Sequence, residues 1–187
     1  MKKALCLTFA LLLAGVVARP VLADHDHDHA AAAPAGGAVK AEILRQIDDA
    51  EEKLVALANA TPAEKLGWRP AEKVRSTGEV FLHVAGGNYF LATLAGTKIP
   101  EGVDMKNMEK GAGDKAKVIE TLKKSFDHVR QTIQATYDAD LDKKVKVFDH
   151  DGTVREVFML FASHAHEHLG QSIAYARMNG ITPPWSA

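Results

Sequence analysis

A single cysteine in 187 residues removes several chemistries at once. It is Cys6, inside a segment that reads as an export signal, so the mature chain has no thiol, no disulfide and no cysteine nucleophile. Any metal must then be held by His, Asp or Glu. An excess of charge of one sign is also missing: 23 Lys and Arg stand against 24 Asp and Glu, a formal net charge of −1. That leaves no basic footprint for nucleic acid. Phosphate loops and nucleotide fingerprints are absent, so no substrate class can be named from a motif. His-Glu-x-x-His is absent too, which excludes the metalloprotease reading. Nothing repeats.

What is present begins with an address. Lys2 and Lys3 precede an almost unbroken apolar run, Ala4 to Ala18, and Val21-Leu22-Ala23 offers the compact residues a signal peptidase reads. A single-span anchor is the alternative, but the run falls short of the roughly 20 apolar residues a bilayer needs, and Arg19-Pro20 interrupts it. We expect a signal peptide over residues 1–23, with periplasmic or secreted localisation and no membrane anchor after cleavage; Val16-Val17-Ala18 is a second candidate cleavage site. Loss of Lys2, Lys3 and Arg19 takes the charge from −1 to about −4. Residues 24–37 alternate Asp and His three times and continue in Ala, Pro and Gly, with no apolar face, so a solvated tail is expected there. Whether it captures metal or only links is left open by composition.

From residue 38 to 187 the pattern is helical. Ile43, Ile47, Ala50, Leu54 and Leu57 form one stripe on a helix from Val39 to Ala58. A turn follows around Leu66-Gly67-Trp68-Arg69-Pro70, where the tryptophan is expected to cover the end of a core. Ser76-x-x-Glu79 has the form of a capping box, opening a second helix with a stripe of Val80, Val84, Gly87, Leu91 and Leu94. Residues 96–113 read as a long loop or lid. Asp114 caps a third helix striped by Val118, Leu122, Phe126, Val129 and Ile133; His128 falls off that stripe and is expected in solvent. Val145 to Phe148 alternates like a lone strand, and Asp149 to Gly152 reads as a turn with His150 exposed. Thr153-x-x-Glu156 caps a fourth helix that ends at Asn179-Gly180. The fold class is all-α, a four-helix bundle with long connections.

Chemistry concentrates in Ser163 to Gln171, where three of the nine histidines fall within five residues. His164 and His168 are one helical turn apart and share a face, with Cβ atoms about 5–6 Å apart. His166 lies two residues from each and points elsewhere. His83 sits beside the inward stripe of the second helix. Each of these would bury a polar ring without an obvious partner, and the proposal that explains them together is one metal ion held by His83, His164 and His168. The competing reading is that they only pack and hydrogen-bond. Imidazoles suit zinc, nickel, copper or iron, and three protein ligands leave an open coordination position, the catalytic pattern. Gln171 lies on the same side as His168 and is a candidate to orient a bound ligand. Glu167 is about 100° away round the helix and a poor general base.

Together these residues resemble the DinB family of DinB/YfiT-like metalloenzymes. The likeness rests on Trp68-Arg69-Pro70, on the capped helix Ser76 to His83, and above all on His164-x-x-x-His168-x-Gly170-Gln171 followed by Tyr175-x-Arg177-x-Asn179-Gly180-Ile181-x-Pro183-Pro184. It covers residue 40 to the end. The resemblance implies a bundle with a long crossover, a zinc or nickel site on His83, His164 and His168, and a homodimer. Some members use mycothiol or bacillithiol as a cosubstrate. Two departures argue against that variant: Leu169 stands where relatives often carry Arg, and the export signal removes the chain from cytosolic thiols. The expected function is an exported metal-dependent hydrolase or transferase of a small-molecule substrate. The alternative is a non-catalytic protein that buffers or scavenges metal.

Overall fold

The computed structural model describes residues 36–186. The expected signal, Cys6 and the tail as far as residue 35 lie outside the described residues. Four long helices carry the fold. α1 (Gly36–Ala60) starts two residues inside the expected tail. Its first turn is tied down by Lys40, whose ammonium reaches the Thr136 carbonyl at 2.8 Å and the Asp138 carboxylate at 2.7 Å. That tether outweighs the poor helix propensity of the glycines.

α2 (Thr77–Leu94) begins with the reciprocal capping box: the Glu79 N–H donates to Ser76 Oγ and the Ser76 N–H to the Glu79 carboxylate. Asp114 caps α3 (Lys115–Ala135) by accepting from the Lys117 N–H. Only half of the second expected box forms at the start of α4 (Val154–Met178). Thr153 Oγ1 accepts from the Glu156 N–H, but the Glu156 carboxylate turns to exposed His150 at 2.7 Å. Gly180, at φ +73°, closes α4. The Ile181 N–H reaches the Ala176 carbonyl and the Gly180 N–H the Arg177 carbonyl, the paired bonds of a Schellman cap.

α1 packs on α3 and α4, and α2 packs on the same pair, so α1 and α2 face each other across the bundle diagonal. The stripes of α1, α2 and α3 meet the inner face of α4 in one core in which Ile47, Leu54, Phe81, Leu122, Phe126, Phe158 and Phe161 are fully buried. Each such side chain contributes about 1.5–3 kcal/mol by leaving water. Among the described residues no helix is long and apolar enough to cross a membrane.

The connections depart from expectation in two places. Residues 96–113 are not a loop throughout: Met105–Gly111 forms a 3-10 segment lying on α2, here called the strap. One glycine of α2 makes room at its end. A Cβ at Gly78 would overlap the Ala112 carbonyl, whereas one at Gly86 would make only ordinary contact with Met108 Sδ at 3.9 Å. The lone strand also has a partner. β1 (Lys144–Val147) pairs antiparallel with β2 (His150–Thr153), with Val147 opposite His150. The turn is Phe148-Asp149, with Phe148 at φ +52°. β2 was illegible because His-Asp-Gly-Thr has little strand character; pairing and the space that Gly152 leaves beside Val147 and Glu156 make it a strand.

His128 is the clearest correction. It is 7% exposed instead of solvated, and its ring lies against Tyr89 with centroids 5.3 Å apart. Ser125, His128 and Thr132 are all buried at helical spacing. α3 thus buries a polar stripe beside its apolar one, and apolar periodicity does not register it.

Candidate metal centre

α2 and α4 are packed neighbours, and the three expected histidines meet on their shared face. The capping box sets where α2 begins and hence the direction in which His83 projects; the one-turn spacing on α4 aligns His164 with His168. Ring centroids are 5.3 Å apart for His83 and His164, 4.6 Å for His83 and His168, and 4.6 Å for His164 and His168. One ring nitrogen from each lies within 4.8 Å of the others. All three side chains are half-buried, so the cluster is reachable from outside. Gly87 has the part of a bed for His164: a Cβ there would stand 2.9 Å from both nitrogens of that ring.

The surroundings settle which atoms are free. His168 Nδ1 is 2.8 Å from Gln171 Oε1. An amide oxygen only accepts, so Nδ1 is the nitrogen that carries a hydrogen in the neutral ring, and Nε2 is the one with the lone pair a metal would take. Gln171 Nε2 in turn donates to the Tyr175 hydroxyl at 3.0 Å, and Tyr175 meets Trp68 edge-on at 5.3 Å. The Trp68 turn, expected only to cover a core end, therefore buttresses a chain of contacts leading to His168. Gln171 touches the ligand histidine, and its effect on any bound group runs through that ring. His164 Nδ1 is buried with no hydrogen-bond partner. His166 projects into a groove against Ile43 and Gln46 of α1, away from the cluster.

Burial pushes His83 down to about 4, helped by the Arg75 charge and by His168. His164 is likewise pushed down to about 4, first by burial and then by His168 and His83. Both rings are neutral at neutral pH, the form that binds metal. A tetrahedral ion with bonds of about 2.0–2.1 Å would bring ligand nitrogens to roughly 3.3 Å apart. No pair here is wider than 4.8 Å, within reach of small side-chain rotations. Two neutral imidazoles, a third with its Nε2 lone pair directed by Gln171, and an orphaned Nδ1 fit a transition-metal ion.

Two residues that sequence reasoning missed border the cluster. Glu109, from the strap, approaches His83 Nδ1 at 3.6 Å and accepts from Arg75 Nε at 3.0 Å. Neither lies on an apolar stripe, and no local pattern marks them. A separate cavity between α2, α3 and the strap is lined by Tyr89, Val103, Met108, Lys117 and His128; none of the three clustered histidines lines it.

Fold and site define a four-helix bundle whose neighbouring second and fourth helices present three converging histidines. The chain belongs to the DinB superfamily, whose model matches residues 46–172 and so spans all three histidines and Gln171. In three dimensions it is similar to a DinB-like protein from Bacillus cereus ATCC 10987, with a TM-score of 0.59 and 19% identity over 76% of this chain and 93% of that one. A DinB-like protein from Bacillus subtilis gives a TM-score of 0.50 and 18% identity over 75% and 93%. At these identities the likeness speaks to the fold alone. No curated protein matches the chain significantly.

Proposed function

We propose that this chain is an exported DinB-superfamily protein that binds one divalent transition metal, zinc or nickel, through His83, His164 and His168, and acts as a hydrolase or transferase on a small-molecule substrate. The observation that carries the reading is the convergence of three ligand nitrogens within 4.8 Å on rings of which two are held neutral. A metal bound there would supply Lewis acidity and activate water near neutral pH. The protein's own part is to orient and to exclude. Gln171 fixes the tautomer of His168, Tyr175 and Trp68 hold Gln171, and Gly87 keeps room for the His164 ring. Three protein ligands leave a coordination position for substrate. Leu169 is buried, so it offers an anionic cosubstrate nothing where relatives often carry Arg. The homodimer that the resemblance implies belongs to the same reading, and light scattering after size exclusion reads it directly.

The alternating Asp24 to His29 run supports a second reading, a non-catalytic protein that buffers or scavenges metal. Elemental mass spectrometry of untagged mature protein separates the two. About one metal per chain, lost in each of His83→Ala, His164→Ala and His168→Ala and kept when residues 24–37 are deleted, is the expected result. Metal that tracks only the tail would overturn the core site. N-terminal sequencing of protein recovered from the periplasm tests cleavage after Ala23; a retained residue 1 would overturn export by a cleaved signal.

A further inference from the structure

The strap reaches the histidine cluster through one side chain. Glu109 Oε1 faces two groups at once: Arg75 Nε at 3.0 Å and His83 Nδ1 at 3.6 Å. Arg75 immediately precedes the N-cap of α2, so it is anchored at a defined helix end and matches the carboxylate's charge. With its charge so matched, Glu109 stands beside His83 Nδ1 just beyond hydrogen-bond length, near enough to take the Nδ1 hydrogen after a small side-chain rotation. That leaves Nε2 of His83 for a metal, as Gln171 does for His168. The rest of the strap is seated to match, since Gly78 of α2 leaves room for the Ala112 carbonyl at the strap's end and Met108 lies beside Gly86. A carboxylate taking the outer hydrogen of a metal-binding imidazole is a recurrent device that raises ligand basicity and locks ring orientation.

We propose that Glu109 is a positioning residue for the metal site, and that through it the strap Met105–Gly111 is latched to His83, so that metal occupancy and strap closure stabilise each other. This rests on the metal site proposed above. Reciprocity follows from linkage: if the closed strap raises the affinity for metal, bound metal favours the closed strap by the same factor. Arg75 positions Glu109 in turn.

The test uses full-length mature protein, with zinc as the probe. Zinc affinity is measured by chelator competition and amide exchange of residues 105–111 with and without zinc, for wild type, Glu109→Gln, Glu109→Ala and Arg75→Gln. Zinc is expected to slow exchange across the strap in wild type. Both Glu109 variants should lose about 10–100-fold in zinc affinity together with zinc-dependent strap protection, and Arg75→Gln should lie between. Glu109 is partly exposed, and the apo melting temperature of each variant checks that the fold persists. Wild-type zinc affinity in both Glu109 variants, with strap protection intact, would overturn the latch while leaving the three-histidine site standing. No zinc binding in wild type, or binding that survives His164→Ala and His168→Ala, would overturn the site and the latch together.

Discussion

Gly87→Ala isolates the geometry of the site from its chemistry. No ligand is removed, yet the added methyl carbon would sit 2.9 Å from both nitrogens of the His164 ring and overlap the carbon between them. Helix propensity favours Ala over Gly by about 1 kcal/mol, whereas overpacking of this kind costs about 1–3 kcal/mol. The fold should therefore lose between nothing and about 2 kcal/mol, against a typical total of about 5–15 kcal/mol. The loss falls instead on the ring, which must leave the position from which it faces His83 and His168. Zinc affinity should drop by more than the roughly 100-fold upper range for losing an outer hydrogen-bond partner. Gly170→Ala is the matched control: Gly170 is exposed in the middle of α4 with nothing near its would-be Cβ. It should gain up to about 1 kcal/mol and bind zinc like wild type. Calorimetry of the apo proteins with chelator competition for zinc reads both effects. Wild-type zinc affinity in Gly87→Ala would refute the reasoning, because His164 would then not need the space that Gly87 leaves.

Replacing Gln171 by Leu removes the acceptor for His168 Nδ1–H at nearly constant volume; zinc affinity should fall about 10–100-fold, and an unchanged dissociation constant would show that the 2.8 Å contact does not direct the ring. Acid should destabilise the apo protein through the same cluster. His83 and His164 sit near 4 in the fold against 6.5 unfolded, so the unfolded chain binds more protons between those values, and stability, complete above about 6.5, declines as pH falls toward 4. A His83→Asn, His164→Asn variant should show a shallower decline of melting temperature across that window, and parallel curves would contradict the assignment. Ser76→Ala removes the side-chain half of the α2 capping box and should cost about 1 kcal/mol, a fall of about 2–4 °C in melting temperature; no measurable change would mean the start of α2 is held by the strap and core alone. Phe158→Ala, at a fully buried position, should cost about 3–5 kcal/mol, and a loss below 1 kcal/mol in denaturant melts would count against the core described.

The sequence by itself determined the helices, their caps and the phase of their apolar stripes, because each depends on neighbours within a few residues: Ile43 to Leu57, Val118 to Ile133, Ser76 with Glu79, Asn179-Gly180. The pairing of His164 with His168 was legible for the same reason, and His83 was readable as an inward residue of its helix. Only the tertiary structure decided that His83 meets the other two, since that depends on α2 and α4 being packed neighbours. It likewise decided that Gly87 houses an imidazole, that Glu109 and Arg75 border the cluster, that His128 is buried, and that His150 to Thr153 pairs as a strand. Each of those turns on the path of a connection or on a polar contact between distant segments, and neither leaves a period in the chain. Apolar burial repeats with the helix and can be counted along a sequence. A single hydrogen bond across the bundle does not repeat, so it becomes visible only once the helices are assembled.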